Sequence, residues 1–275
     1  MTRGLGAACG VGLLAAACGT AAFAQDIWVG GGRFSRQSAR FAEVDDFDGS
    51  FLYCRAFYAN AGRGGWRTDY PGADNNFSVR LAELTRVPVR FGRDRQPVHV
   101  VVRLTDPLLY RCPLLFMEDT QTLHLSAPEA AGLRTFLLKG GFLWVDDTWG
   151  SRAWNNWVRE ISRVLPSSDF PIVDIPATHA ILRTLYDVKE IPQVPNIGFW
   201  RQTRGRTSEQ GRDSADVFFK GIADAQGRLM VVMTHNTDIA DTWEREGEWP
   251  REYFDTFSPR GYAIGVNFVL YAMTH

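Results

Sequence analysis

The sequence predicts an α/β domain: a mainly parallel sheet covered on both faces by helices, with an antiparallel pair added late in the chain. Two observations carry this. Apolar runs of strand length alternate with segments of helical period through the centre of the chain. Two later runs, 217–223 and 229–234, are joined by Asp224-Ala225-Gln226-Gly227, a hairpin signal.

The elements follow in order. Arg3, the apolar and small residues of 11–17, and the Ala22-Phe23-Ala24 site make residues 1–24 an export signal, with cleavage after Ala24 and a mature start at Gln25. A lipoprotein signal ending at Cys18 is the second reading; Ala15 stands against it, at a position usually held by Leu. The run is too short and too rich in Ala and Gly to span a bilayer, and no later stretch is long and apolar enough. The mature protein is therefore expected in a periplasm or outside the cell. Removing 24 of the 275 residues leaves 251, enough for a substantial core.

Residues 25–50 read as an N-terminal arm of weak structure, and 51–275 as the folded domain. The aromatic-rich stretch 51–58 is a strand candidate. A loop dense in Gly, Asn, Asp and Pro follows, NAGRGGWRTDYPGADNN. Phe77, Leu81 and Leu84 then set a helix over 76–85, capped by Asn75 or Asn76. Strands are expected at 98–104 and 113–117, the latter ending in Glu118-Asp119. Ser126 and Glu129 have capping-box spacing, with Pro128 in the first turn of a helix that stops at Gly140-Gly141. A strand at 142–145, a helix at 152–165, a short strand at 172–175 and a short helix at 179–186 come next. Residues 190–216 form a Pro-, Arg- and Gly-rich excursion, and the last helix covers 261–273.

Lys+Arg number 30 against Asp+Glu 31, a net charge of −1. This balance argues against a nucleic-acid footprint and against a polybasic membrane patch. Cleavage would remove Cys9 and Cys18. Cys54 and Cys112 remain, read either as a disulfide in an oxidising compartment or as two buried thiols.

Four strings, TDYPGADNNFSVRLAELT (68–85), LSAPEAAGLRTFLLKGGFLWVDD (125–147), GRLMVVMTHNTDIADTWE (227–244) and GVNFVLYAMTH (265–275), resemble the bacterial family known as domain of unknown function 4159. The resemblance covers about 50–275. It implies a class I glutamine amidotransferase-like fold, a flavodoxin-like three-layer αβα sandwich, and carries no activity with it. In active amidotransferases the corresponding strand leads to a turn holding the nucleophilic Cys. Here that turn is Asp146-Asp147-Thr148, with no Gly-x-Cys-x-Gly elbow, so an acyl-enzyme mechanism is not expected.

The candidate site lies at the C-terminal ends of the strands, where open α/β sheets bind ligands. Asp146 and Asp147 end one strand; the competing reading is that one caps the next helix and the other pairs with an Arg. The loop after the first strand offers Arg67, Asp69 and Asp74, with Gly62, Gly64 and Gly65 permitting close backbone approach. Trp149 and Trp243, with Trp154 and Trp157, are candidates for an aromatic platform; core packing competes for Trp154 and Trp157. Asp147, His235, Asp238 and Asp241 form a candidate ligand set for an oxygen-preferring divalent metal, against N-capping and ion pairs with Arg. The expected function is a non-catalytic module binding a ligand or an envelope protein. A divalent-metal-assisted hydrolase and a structural envelope domain are the alternatives. No cofactor other than such a metal is expected.

Overall fold

The computed structural model describes residues 38–60 and 64–275. The predicted signal with its cleavage after Ala24, the alternative at Cys18, the first part of the arm, and Gly62 lie outside the described residues.

Along the chain come β1 (Tyr53–Phe57), β2 (Ala59–Asn60), α1 (Gly72–Leu84), β3 (His99–Arg103), β4 (Leu115–Met117), β5 (Leu123–His124), α2 (Ala127–Leu138), β6 (Leu143–Thr148) and α3 (Gly150–Val164). Then follow β7 (Val173–Asp174), α4 (Ile197–Gln202), β8 (Phe218–Ala223), β9 (Leu229–His235), α5 (Asp241–Glu244) and α6 (Arg251–Thr274). The main sheet has seven strands in the order β3-β1-β4-β6-β9-β8-β7. Its first five run parallel, and β8 and β7 add the antiparallel edge. Ranked by chain position, the parallel strands stand 2-1-3-4-5, the flavodoxin-like order, which places a topological switch between β1 and β4.

Strand alternation sorts the core into two halves. Tyr53, Phe116, Trp144 and Val232 face α1 and α6, while Cys54, Leu115, Val145 and Val231 face α2 and α3. Each helix is present because it buries a stripe on one of these faces: Phe77 and Leu81 from α1, Leu133 and Phe136 from α2, Trp157 and Ile161 from α3. The predicted capping box forms, with the Glu129 N–H bonded to Ser126 Oγ and the Ser126 N–H to Glu129 Oε2.

Several boundaries move. α1 starts at Gly72, so Asn75 and Asn76 are interior, not caps. Their side chains bond across the fold instead: Asn76 Nδ2 donates to the Trp243 carbonyl at 2.7 Å, and Asn75 Oδ1 lies 3.0 Å from His99 Nδ1. β6 continues through Asp146 and Asp147 to Thr148, with an irregular register after Val145. The helix expected at 179–186 is only a 3₁₀ turn, Ala180–Arg183. α6 begins at Arg251 and passes through Pro259, because Tyr253, Phe254 and Phe257 give the earlier turns a buried apolar face that outweighs one missing N–H bond. The arm is more ordered than expected from residue 38 on. Phe41 bridges Val101 at the β3 edge, and Arg40 pairs with Asp46 at 2.5 Å. No helix among the described residues is long and apolar enough to cross a membrane.

Cys54 in β1 and Cys112 before β4 are joined in a disulfide, with Cα atoms 5.9 Å apart and a sequence separation of 58. A loop of that length makes the link a strong constraint on the unfolded chain. The double replacement C54A/C112A is expected to lower stability by about 2–4 kcal/mol, read as a drop in the urea midpoint, with a steeper slope from the more expanded unfolded chain. An unchanged midpoint would show that the link does not constrain the fold.

Candidate functional site

Four parallel strands deliver acids to one edge of the sheet. The loop after β1 carries Asp69, β4 runs into Glu118 and Asp119, β6 carries Asp146 and Asp147, and the segment after β9 carries Asp238, Asp241 and Glu244. The switch between β1 and β4 lies where the Asp69 loop meets Glu118. Four of the six non-glycine residues with positive φ among the described residues lie here: Asp69, Asp119, Asp147 and Asn236. Asp and Asn tolerate this region best, and the bends it creates turn side chains off the strand direction.

Arg55 organises the β1 side. It is fully buried on the same face as Tyr53 and Phe116. Its Nε donates to Asp74 at 3.0 Å, one terminal nitrogen donates to the Thr68 carbonyl at 2.7 Å, and it forms ion pairs with both Asp74 and Glu118. One guanidinium thus ties the Asp69 loop, α1 and the end of β4 together. Gly64 and Gly65 allow the backbone to approach Asp119: the Gly65 N–H bonds Asp119 Oδ2 at 2.8 Å, and a Cβ at Gly64 would stand 2.3 Å from that oxygen.

Asp146 and Asp147 have separate roles. Asp146 is fully buried and accepts from Thr234 Oγ1 at 2.5 Å and from the Ala240 N–H at 3.0 Å. Burial pushes its carboxyl up to about 7, and those hydrogen bonds oppose the rise. It is a positioning residue, pinning the segment that holds Asp238 and Asp241. Asp147 is half-buried, and its Oδ1 accepts from Trp149 Nε1 at 2.8 Å. Burial, then Asp119, Asp69 and Glu118, hold it well above the ordinary carboxylate range. Neither acid caps α3. The Gly150 N–H is taken by Asn236 Oδ1 at 2.8 Å and the Ser151 N–H by Asp213 Oδ2 at 2.9 Å.

Among the described residues, two carboxylate triads have ligand atoms within 4.8 Å of one another: Asp69, Glu118 and Asp238, and Asp69, Asp241 and Glu244. Asp69 belongs to both. The Asp241 N–H bonds Asp238 Oδ1 at 3.1 Å, which couples the two groups through one turn of backbone. Glu118 is fully buried, and its Oε1 has no hydrogen-bond partner; Glu244 is 5 % exposed, and the same is true of its Oε2. Burial raises Glu118, Asp238 and Glu244 well above normal. Arg55 opposes the rise at Glu118; Asp241 and Asp147 add to it at Asp238, and Asp69 and Asp241 at Glu244. Such crowding is costly for ionised carboxylates and is relieved by protons or by a cation.

Of the predicted metal ligands, Asp238 and Asp241 fall in the triads, Asp147 borders them, and His235 does not join them. Alternation places His235 with Val231 and Met233 on the α3 face, where its ring stacks on Trp154 at 4.7 Å and on Phe218 at 5.7 Å. Its Nε2 is 3.3 Å from the Gly150 carbonyl. Trp243 is a core residue, packed against Phe77 at 4.9 Å and Trp144 at 6.1 Å, and is no platform wall. Trp149 and Trp157 are buried too. Arg67 is exposed, its guanidinium 5.0 Å from the Trp66 ring, and Asp74 is committed to Arg55. Asp69 was expected only as a ligand-loop residue and stands at the centre. Glu118 and Glu244 were outside the expected set. The signal for Glu118 was present, since Phe116-Met117-Glu118-Asp119 repeats the strand-then-two-acids pattern of Trp144-Val145-Asp146-Asp147.

No curated protein matches the chain. The family model for the domain of unknown function DUF4159 matches residues 55–273, which runs from Arg55 in β1 through the other strands that supply the site. The match covers most of the sequence, and the chain belongs to that family.

Proposed function

We propose that the protein is an exported, divalent-cation-binding α/β module whose ligand site is the carboxylate cluster at the β1–β4 switch. The observation that carries this is the pair of triads sharing Asp69, each containing a buried glutamate oxygen with no hydrogen-bond partner. Buried polar atoms are rarely left unsatisfied, and an all-oxygen, multiply anionic donor set suits Mg²⁺, Mn²⁺ or Ca²⁺. The absence of His and Cys from the triads argues against a preference for zinc.

Both described cysteines are tied together, which supports a reading without a thiol nucleophile and in an oxidising location. Asp147 favours a second reading, metal-assisted hydrolysis. It borders the triads and belongs to neither, the place of an unligated carboxylate that takes a proton from a cation-bound water.

The test is calorimetric titration of chelator-treated protein with Mg²⁺, Mn²⁺ and Ca²⁺ in turn. We expect saturable binding of at least one ion and a rise in melting temperature. Neither heat nor a thermal shift with all three would remove the proposal.

A further inference from the structure

We infer that the site takes two hard divalent cations, bridged by Asp69, one held with Glu118 and Asp238 and the other with Asp241 and Glu244. This rests on the cation-binding reading above and goes beyond it in number, bridging residue and assignment of ligands. In each triad the ligand atoms stand within 4.8 Å of one another, the spread expected of oxygens around one ion with bonds of about 2.0–2.6 Å. The triads share only Asp69, so a single ion would serve one of them and leave the other's carboxylates crowded together.

The unsatisfied atoms divide in the same way. Oε1 of Glu118 belongs to a residue of the first triad and Oε2 of Glu244 to one of the second, and both side chains are more than nine-tenths buried. The remaining oxygen of Glu118 already pairs with Arg55, so that glutamate has one oxygen to offer. Asp241 and Glu244 bring carboxylate oxygens within 4.8 Å of each other, a crowding of two acids that a cation between them relieves. Asn196 Nδ2 donates to Asp241 Oδ2 at 3.3 Å, orienting this acid from the 190–216 excursion. A carboxylate bridging two ions about 3.5–4 Å apart is the arrangement by which two-metal sites hold their ions.

Titration of the purified, chelator-treated protein with Mn²⁺, read by calorimetry and by electron paramagnetic resonance, tests this. We expect two ions per chain and the exchange-coupled signal of a close Mn²⁺ pair. Glu118→Gln and Glu244→Gln are each expected to reduce the stoichiometry from two to one and abolish the coupled signal. Asp69→Asn is expected to weaken both sites at least tenfold. One ion per chain with an uncoupled signal would overturn the two-cation inference and keep the cation site. No binding would overturn both. Two ions without coupling, unaffected by Asp69→Asn, would overturn the bridge. The wild-type stoichiometry and spectrum decide the question even where a variant fails to fold.

Discussion

Replacing Arg55 by leucine is expected to destabilise the protein by ~3–5 kcal/mol, more than any other single polar change at the site. The side chain is fully buried and contacts Asp74 and Glu118, both also fully buried. Leucine fills part of the volume but leaves two carboxylates in the core without their counter-ion, and it removes the donor that holds the Thr68 carbonyl. The loss is therefore mainly the cost of stranded charge. This makes a second variant informative: the triple replacement Arg55→Leu, Asp74→Leu, Glu118→Leu is expected to recover much of the loss, because no charge is then stranded. Urea unfolding of both variants measures the effect. If Arg55→Leu is as stable as the wild type, Arg55 is not the anchor of the β1 side.

Asp238→Asn is expected to move stability in opposite directions with and without cation. Asp238 lies deep in the cluster, and burial together with Asp241 and Asp147 already makes its ionised form unfavourable. Asparagine keeps an oxygen to accept the Asp241 N–H and removes one negative charge. Without cation the variant is expected to be more stable by about 1–2 kcal/mol, the usual gain when a functionally constrained position is relieved. Filling the one site that Asp238 helps to form, at a cation concentration 100 times its Kd, is expected to add about 2.7 kcal/mol to the wild type, roughly 5–10 °C in melting temperature for a chain of this size. The variant is expected to lose most of that gain. Thermal unfolding with chelator and with cation gives both numbers. A variant destabilised in chelator yet fully responsive to cation would mean that Asp238 is structural and not a ligand.

Parts of this architecture are legible in the chain because they rest on local pattern. The alternation of apolar runs with helical periods, the Ser126–Glu129 box and the Asp224–Gly227 turn each specify an element through near neighbours, and each is found. That the acids gather at strand ends was legible as well, since Glu118-Asp119 and Asp146-Asp147 each follow a greasy run.

Which acids meet was not legible. His235 and Asp238 are three residues apart, yet strand alternation sends the histidine to the α3 face while the chain turns Asp238 back to the carboxylate cluster. Asp69 and Glu244 are 175 positions apart in sequence and share a triad because β1 and β9 are parallel strands of one sheet, both ending at its C-terminal edge. The two acids of the Trp144-Val145-Asp146-Asp147 stretch part company for a similarly non-local reason. Asp146 stays on the α1/α6 face and bonds Thr234 and Ala240, and the positive φ of Asp147 turns that residue toward Asp119 and Glu118. By itself, then, the sequence determined the fold class and the edge of the sheet where charge collects, because period and capping act over a few residues. The tertiary structure alone decided the membership of the triads and the central place of Asp69, because those depend on strand order and on which way each strand end turns.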